Sequence, residues 1–292
     1  MKVCFACENR FESDQWTCPS CGYRPTARNE VFQFAEDSAS VQAGFKPEYF
    51  ARLAAIEPGH FWFRARNALI QWALRKYFPN AKTFLEIGCG TGYVLGGIRK
   101  NFPAMRLVGS DIFTDGLIFA KARLPEVELY QMDARRIFFE CEFDVVSAFD
   151  VLEHLVEDES ALAQMFNAAR PGGGLLVTVP QQRYLWSASD RFAMHQRRYS
   201  RVDLRAKVRK AGFEIQRITS FNSLLLPVMI LSRMLHKRHG DLQPWRELEI
   251  SPALNKTLEN ILTIERLMIK KGVSFPAGGS LLLIGRKPLG TL

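Results

Sequence analysis

A glycine-rich run between two periodic segments constrains the fold of this chain more than any other feature. Residues 86–92 read Glu-Ile-Gly-Cys-Gly-Thr-Gly. They follow apolar residues 83–85, which predict a buried strand, and precede residues 93–100, which predict a helix. Glycines in such a turn let the backbone approach a ligand closely. The pattern predicts a nucleotide-type cradle, and the acidic Glu86 suits a cationic or amine-bearing ligand better than a phosphate.

Further strand patterns follow in order, each ending at a residue that suits a binding site. Residues 106–111 predict a second strand that ends at Asp111, and residues 127–130 a third that leads to Asp133. Residues 143–149 predict a fourth strand that ends at Phe149. A fifth follows the Arg-Pro-Gly-Gly-Gly turn at 170–174, and residues 280–286 predict a closing antiparallel strand. Alternating strands and helices of this kind predict a parallel sheet with acids at the ligand crevice.

Together these patterns resemble the motifs of class I S-adenosylmethionine (SAM) methyltransferases, in the type 11/12, ubiquinone-methylase-like group. The resemblance covers residues 81–180 and continues more loosely to 280–286. It implies an α/β, Rossmann-like, doubly wound seven-stranded sheet and a SAM site formed by Glu86, Gly88, Gly90, Gly92, Asp111, Asp133 and Phe149. A plain tight turn would explain the glycines alone. A dehydrogenase would explain Asp111, but not Glu86, the Asp133 turn or the 170–174 turn.

Four cysteines near the amino terminus predict a small metal-bound module. Cys4 and Cys7 form one Cys-x-x-Cys pair, and Cys18 and Cys21 form a second about ten residues later. Four thiolates at this spacing suit tetrahedral Zn²⁺, with iron or two disulfides as alternatives. The module resembles a zinc ribbon and contains few basic residues, so docking or protein contact is expected of it rather than nucleic-acid binding.

The predicted domain organisation has three parts. Residues 1–25 form the zinc-ribbon-like module, residues 26–46 a linker, and residues 47–292 the methyltransferase domain. Within the last part, residues 222–272 are expected to form a helical insertion. Residues 57–67 contain three consecutive aromatic residues flanked by His and Arg. The middle one, Trp62, is expected either to cover the SAM and substrate site or to pack a helix onto the sheet.

The segment after the fifth strand supplies the candidate catalytic and acceptor-binding residues. Loops at the carboxyl ends of parallel strands form the sites of such sheets. His195 is the first candidate for a general base, and His154, just beyond the fourth strand, is its rival. Arg197, Arg198 and Tyr199 are expected to hold an anionic acceptor. The alternative is that this string caps the following helix, with Ser200 at the N-cap.

Charge is distributed unevenly along the chain. The formal net charge is +9, and residues 183–246 carry 14 Lys and Arg against four Asp and Glu, so the remainder is close to neutral. This excess indicates an anionic partner or a solvated basic face. Residues 223–239 change from apolar to basic, which suits either a helical pair that covers the cleft or forms a dimer contact, or contact with a membrane surface.

The sequence therefore predicts an enzyme that transfers a methyl group from SAM to a small or lipid-linked anionic acceptor, at oxygen. Two alternatives stay open: an RNA or protein methyltransferase that reads its substrate through the zinc module, and a SAM-binding scaffold without turnover. Met1 leads directly into the cysteine pairs rather than into a secretory signal. Cytoplasm is the expected location, with a peripheral position at the inner membrane face as a variant.

Overall fold

The computed structural model describes residues 1–34, 47–239 and 248–290, with the side chains of residues 47–48 and 235–239 excepted. The strands are β1 (Lys2–Val3), β2 (Arg10–Phe11), β3 (Thr26–Arg28), β4 (Val31–Gln33), β5 (Thr83–Ile87), β6 (Arg106–Asp111), β7 (Glu128–Gln131), β8 (Phe143–Phe149), β9 (Ala169–Pro180), β10 (Glu214–Phe221) and β11 (Ser280–Arg286). The α-helices are α1 (Pro47–Ile56), α2 (Phe61–Tyr77), α3 (Tyr93–Asn101), α4 (Thr114–Arg123), α5 (Asp158–Ala168), α6 (Ala188–Phe192), α7 (Arg201–Lys210), α8 (Leu226–His239) and α9 (Pro252–Lys270).

The predicted doubly wound sheet is confirmed. The strand order is β10-β11-β9-β8-β5-β6-β7-β4-β3. Strands β4 to β9 run parallel within this order, whereas β11 is antiparallel to both β9 and β10. The chain moves outward from β5 through β6 to β7 and then returns to the other side of β5 with β8. This reversal opens a crevice at the carboxyl ends of β5 and β8, where such sheets bind ligands.

Helices cover both faces of the sheet because its strands bury side chains on both sides. All five residues of β5 are buried. Leu85 points into a core that includes α5 and α7. Its neighbour Phe84 points into a second core that includes α2, α3 and α4. Successive residues of a strand alternate between faces, so one short apolar strand supports both layers.

Residues 26–33 differ from the linker expected there, because they extend the sheet from seven strands to nine. Phe32 and Gln33 of β4 pair in parallel with Tyr130 and Gln131 of β7. The antiparallel strand β3 then follows β4 at the edge. Val31 is buried, so the segment contributes to the core as well as to the hydrogen-bond ladder. The rest of the expected linker, residues 35–46, lies outside the described residues.

The cysteine-containing segment packs directly against this edge of the sheet. The Trp16 ring lies 4.7 Å from the ring of Phe34 and 5.6 Å from that of Tyr130, measured between centroids. The backbone N–H of Val3 donates to the carbonyl of Phe138. The segment and the sheet thus share one hydrophobic core.

The predicted helical insertion contains α8 and α9, although residues 240–247 lie outside the described part. Helix α9 packs on α2, where Arg64 makes two hydrogen bonds of 2.9 Å to the carboxylate of Glu259. Asn255 accepts from the backbone N–H of Phe61 at 2.8 Å. Among the described helices, none combines the length and apolar character needed to cross a bilayer.

Candidate functional site

The glycine turn after β5 has the conformation that its sequence demands. Gly88, Gly90 and Gly92 have φ values of 68°, 51° and 72°, a region that strongly favours glycine. A Cβ on Gly88 would lie 2.3 Å from a methyl carbon of Val151. A Cβ on Gly90 would meet only the ring of Phe50, at 4.0 Å. The turn therefore packs tightly at Gly88 and presents bare backbone at Gly90.

A cavity of about 530 Å³ opens beside this turn, at the carboxyl ends of β5, β6 and β8. This volume suits a cofactor-sized molecule. Its charged lining residues are four acids, Asp111, Asp133, Asp150 and Glu157, and one arginine, Arg135, and the lining also includes Gly88, Gly90 and His154. The crevice at the strand reversal is therefore a largely apolar cavity with an excess of acidic residues, which suits a ligand that carries positive charge.

Asp111 joins the end of β6 to the glycine turn. Its carboxylate accepts from the backbone N–H of Gly90 at 2.8 Å and from that of Phe113 at 2.9 Å. Burial raises the pKa of Asp111 to about 6, although these N–H bonds favour the ionised form. The side chain both shapes the turn and lines the cavity.

Asp133 also lines the cavity, but an arginine already holds it. Arg135 makes hydrogen bonds to both carboxylate oxygens of Asp133, the shortest at 2.6 Å. Burial opposes ionisation of Asp133, but these bonds lower its pKa. The acid therefore stays charged and fixed in orientation.

Glu86, Gly92 and Phe149 lie beneath the cavity rather than on its surface. The cavity lining includes none of the three. Glu86 is fully buried, and burial raises its pKa well above the ordinary value. A Cβ on Gly92 would lie 3.0 Å from that of Ala120. These residues support the turn and the strand ends, and their contact with a bound cofactor stays a prediction.

Sequence reasoning missed Asp150 and its partner. Asp150 follows β8, lines the cavity and forms an ion pair with Arg66 of α2. The Arg66 guanidinium lies 4.5 Å from the ring centroid of Trp62. Trp62 itself is outside the cavity lining and acts through this stack. The position of Asp150 directly after a parallel strand could have indicated a site residue, whereas no feature of the sequence indicates its ion pair with Arg66.

A second ion-pair network holds the far side of the turn. The hydroxyl of Thr91 donates to the carboxylate of Glu57 at 2.6 Å. Arg123 of α4 lies 3.3 Å from the same carboxylate. Burial raises the pKa of Glu57. The network ties the glycine turn to the residue that follows α1.

The expected acceptor-binding arginines are engaged inside the protein. Arg198 is buried and binds Asp190 through two hydrogen bonds, of 2.8 and 3.0 Å. Arg197 pairs with Asp158 at 2.8 Å, and the buried Tyr199 also donates to Asp158. None of the three lines the cavity. Their role in holding an anion stays a prediction, and these internal pairs with carboxylates count against it.

The two candidate histidines lie side by side. Their ring centroids are 4.7 Å apart in an edge-to-face arrangement. His154 lines the cavity, whereas His195 lies behind it and contacts Asp190 through Nδ1 at 2.9 Å. Burial and the neighbouring His195 lower the pKa of His154 to about 3. A base with so low a pKa is poorly matched to a hydroxyl proton near neutral pH.

The four amino-terminal cysteines converge on one point. Their sulfur atoms all lie within 4.8 Å of one another. The Cys4–Cys21 and Cys7–Cys18 sulfur distances are 3.6 and 3.7 Å. A Zn–S bond of about 2.3 Å in a tetrahedron separates sulfurs by about 3.8 Å, so the arrangement fits a Cys₄ metal site.

Backbone donors also prepare this group for a metal. Burial opposes ionisation of Cys18, but backbone N–H groups of Cys21 and Ser20 outweigh it and lower the pKa of Cys18 to about 6. Gly22 supplies the second turn with a φ of 72°. Of the remaining cysteines, Cys89 is buried in the core and Cys141 is partly buried, as expected of small packing residues.

Comparison with known proteins supports the reading of the fold. A family model described as a methyltransferase domain matches residues 57–218, more than half of the chain. A Mycolicibacterium smegmatis protein named as an S-adenosylmethionine-dependent methyltransferase is 28% identical over 160 residues, which are 54% of this chain and 61% of that relative. Trans-aconitate 2-methyltransferase of Azoarcus sp. is 30% identical over 102 residues, or 35% of this chain and 40% of the relative. The chain thus spans less than two thirds of the length of these relatives.

A solved structure shares the architecture. Haemonchus contortus phosphoethanolamine N-methyltransferase 2, in complex with S-adenosyl-L-methionine, superposes with a TM-score of 0.51 over 76% of this chain and 52% of that one. At 18% identity the likeness is one of fold. With the strand order, the glycine turn and the family match in agreement, the chain belongs to the methyltransferase domain family, among the class I SAM-dependent methyltransferases.

Proposed function

We propose that this protein transfers a methyl group from SAM to a small or lipid-linked anionic acceptor, at oxygen. The observation that carries the proposal is the acid-lined cavity beside the glycine turn. Bound SAM would supply an electrophilic methyl group on a positively charged sulfur. Gly88 and Gly90 would let the backbone approach the cofactor closely, because neither has a side chain in the way.

The acids around the cavity would bind the polar parts of the cofactor. Asp111 at the end of β6 would accept from ribose hydroxyls, as an acid at this point of a doubly wound sheet does. Asp133, which Arg135 fixes in orientation, would bind the adenine. Asp150 adds negative charge at the rim, although its pairing with Arg66 reduces that charge. Positioning and exclusion of water would then provide much of the rate enhancement.

The acceptor class rests on the mouth of the cavity and on one relative. Phe50 and Leu53 of α1 line the cavity together with Met194 and Gln196. Such a mouth suits a small organic molecule rather than an extended polymer. One relative is named for trans-aconitate, a small anion. Since Arg197 and Arg198 are engaged internally, any anionic group of the acceptor must be bound by other residues.

An exposed apolar stripe favours a lipid-linked acceptor as the second form of this proposal. Leu224, Val228 and Leu231 are 39%, 59% and 57% exposed and follow one another at helical spacing on and before α8. A stripe of this kind can lie in a membrane interface. Sedimentation with anionic liposomes should capture the protein, and a Val228→Asp, Leu231→Asp variant should stay in the supernatant. Equal capture of both would remove the membrane form.

Methyl transfer is tested directly with radiolabelled SAM. The purified chain is incubated with labelled SAM and separate pools of small acids, lipid extract, RNA and protein. Label in the small-acid or lipid pool supports the proposal, and label in RNA or protein supports the macromolecular alternative. SAM binding by calorimetry without transfer to any pool would favour a non-catalytic scaffold.

We propose further that the four cysteines bind one Zn²⁺. The sulfur distances support this assignment. Zinc there would hold the amino-terminal segment in shape, since so short a segment lacks a core of its own. Elemental analysis should find zinc in freshly purified protein, and iron or no metal would contradict the assignment.

A further inference from the structure

A carboxylate and two imidazoles converge behind the cavity wall. Glu153 and His154 lie in a short 3₁₀ turn after β8, and His195 follows α6. One ligand atom of each lies within 4.8 Å of one ligand atom of the others. Within the described part of the chain, this trio and the four cysteines are the two groups with such convergence. None of these three residues belongs to the glycine turn or to the cavity acids described above.

Glu153 is an unusual carboxyl group. It is fully buried, and neither of its carboxylate oxygens has a hydrogen-bond partner among the described residues. Burial raises its pKa well above the ordinary value. Burying a carboxyl group without a donor is costly, so an arrangement of this kind calls for a cation or another partner in the space that it faces.

His195 is oriented towards Glu153 by a second carboxylate. Its Nδ1 lies 2.9 Å from Oδ1 of Asp190, which leaves Nε2 4.0 Å from Oε1 of Glu153. Asp190 is held in turn by Arg198. A carboxylate on one imidazole nitrogen, with the other nitrogen free, is the outer-shell arrangement that orients histidine ligands around metals.

His154 completes the trio with a comparable arrangement. The backbone of Ala193 hydrogen-bonds its ring. A neutral imidazole is the form that binds metals. Because His154 also lines the cavity, the trio is in contact with the space in which the acceptor would react.

We propose that Glu153, His154 and His195 form a binding site for one divalent cation of the Mn²⁺, Fe²⁺ or Zn²⁺ class. Metal–ligand bonds of about 2.1 Å place two ligand atoms at most about 4.2 Å apart. The 4.0 Å between His195 and Glu153 already meets this limit. The widest separation, within 4.8 Å, needs a closure of about 0.6 Å.

Three protein ligands leave coordination positions open. One would face the cavity past His154, so an oxygen atom of the acceptor could bind there. A bound cation holds such an oxygen in place and lowers the pKa of a hydroxyl group. The hydroxyl proton is then lost more readily, so the reaction does not require His154, whose pKa is lowered to about 3, as the base. This last step rests on the proposed function, whereas the cation site does not.

Cation binding is tested with Mn²⁺, which prefers nitrogen and oxygen ligands to thiolates. The full chain, with its cysteine site zinc-loaded, is titrated while free Mn²⁺ is followed by electron paramagnetic resonance. One Mn²⁺ per chain is expected. Glu153→Gln and His195→Ala should each weaken binding at least tenfold, and Asp190→Asn should weaken it through the orientation of His195. His60→Asn, a buried histidine outside the trio, is the matched control and should bind normally.

Thermal unfolding separates lost binding from lost folding. Glu153→Gln removes a buried carboxyl group that has no donor, so its melting temperature without Mn²⁺ should equal or exceed that of the wild type. Mn²⁺ should raise the melting temperature of the wild type and leave that of Glu153→Gln unchanged. Absence of Mn²⁺ binding to the wild type, or equal binding by Glu153→Gln and His195→Ala, would overturn the site.

The outcome for the cation is distinguishable from that for methyl transfer. Mn²⁺ binding at the trio in a protein that transfers no methyl group supports the site and contradicts the proposed function. Methyl transfer that proceeds equally in cation-stripped wild type and in Glu153→Gln contradicts a role of the cation in the reaction and leaves the proposed function standing, while the Mn²⁺ titration alone decides whether the site exists.

Discussion

Acidic residues around the cavity differ in what their surroundings do to them. Glu86 lies beneath the cavity, where burial raises its pKa well above the ordinary value. Asp111 is also buried, but two backbone N–H groups limit the rise, to a pKa of about 6. Asp133 has a lowered pKa because Arg135 holds it. Burial thus disfavours the charged form of Glu86, whereas Arg135 favours the charged form of Asp133.

Replacing Asp111 with alanine should weaken SAM binding by about 1–3 kcal/mol, or roughly ten- to a hundredfold. The substitution removes a charged acceptor from the cavity and releases the Gly90 N–H that shapes the turn. Calorimetry measures the affinity, and Asp115→Ala, an acid outside the cavity lining, is the control. Unchanged affinity in Asp111→Ala would remove this acid from the SAM site.

His60 should make the protein less stable as the pH falls. Burial, with a contribution from Arg64, lowers its pKa to about 4, whereas the unfolded chain binds a proton near pH 6.5. Between these values the unfolded state binds more protons than the folded state, so the free energy of unfolding decreases as pH falls from 6.5 to 4. After a discount for partial exposure, the loss is on the order of 1–2 kcal/mol.

The measurement is urea unfolding of the wild type and of His60→Asn between pH 7.5 and 4.5. Asparagine can still accept the N–H of Trp62 that His60 caps. The variant should therefore lose less stability on acidification, and the difference between the two proteins isolates this residue from other titrating groups. Parallel pH profiles would contradict the assignment.

At the scale of elements, the connection after β9 is built around internal ion pairs. Its arginines were expected to face an acceptor, but Arg198 binds Asp190 and donates to the carbonyl of Gln181 at 3.1 Å. Ser200 caps α7, as the alternative interpretation of this string held. Lys207 also pairs with Asp158. Part of the basic excess in residues 183–246 is thus neutralised within the fold.

Arg198→Ala should destabilise the protein by about 3–5 kcal/mol, because it leaves the buried Asp190 without its main partner. Arg197→Ala should cost less, since Asp158 keeps Lys207 and Tyr199 as partners. Chemical denaturation of both variants provides the comparison. Equal, small losses would show that Arg198 is not a structural residue and would restore it as a candidate for acceptor binding.

At the scale of the whole molecule, the cysteine-containing segment is part of the main core. Cys4, Trp16 and Cys18 are buried with residues of β7 and of the segment before β8. The amino terminus itself pairs with Glu142. Loss of the metal should therefore affect the edge of the sheet and not the first 25 residues alone.

Cys7→Ser should abolish zinc binding and lower stability by about 3 kcal/mol, which is roughly 6–12 °C in melting temperature for a protein of this size. The exposed Cys7 is chosen because its substitution disturbs little packing. Cys141→Ser, a partly buried cysteine outside the group, is the control. Elemental analysis and thermal unfolding are the measurements, and an unchanged melting temperature in zinc-free Cys7→Ser would show that the segment folds without metal.

The local order of the chain determined a large part of this architecture. Short apolar strands, the glycine turn and acids at strand ends are set by neighbouring residues, so the doubly wound sheet and the places of Asp111 and Asp133 could be predicted. The spacing of the cysteine pairs likewise predicted their convergence, because each pair lies within one tight turn.

Only the tertiary structure decided which partners distant residues meet. Arg198 bears the same charge whether it faces an acceptor or Asp190, and only the folded structure shows that it lies buried beside that carboxylate. The pairing of Arg66 with Asp150, the extra strands β3 and β4, and the meeting of Glu153 with His195 all depend on contacts between segments far apart in sequence. Charge and hydrogen-bond capacity are properties of residues, but desolvation and partner choice arise only once the chain is packed.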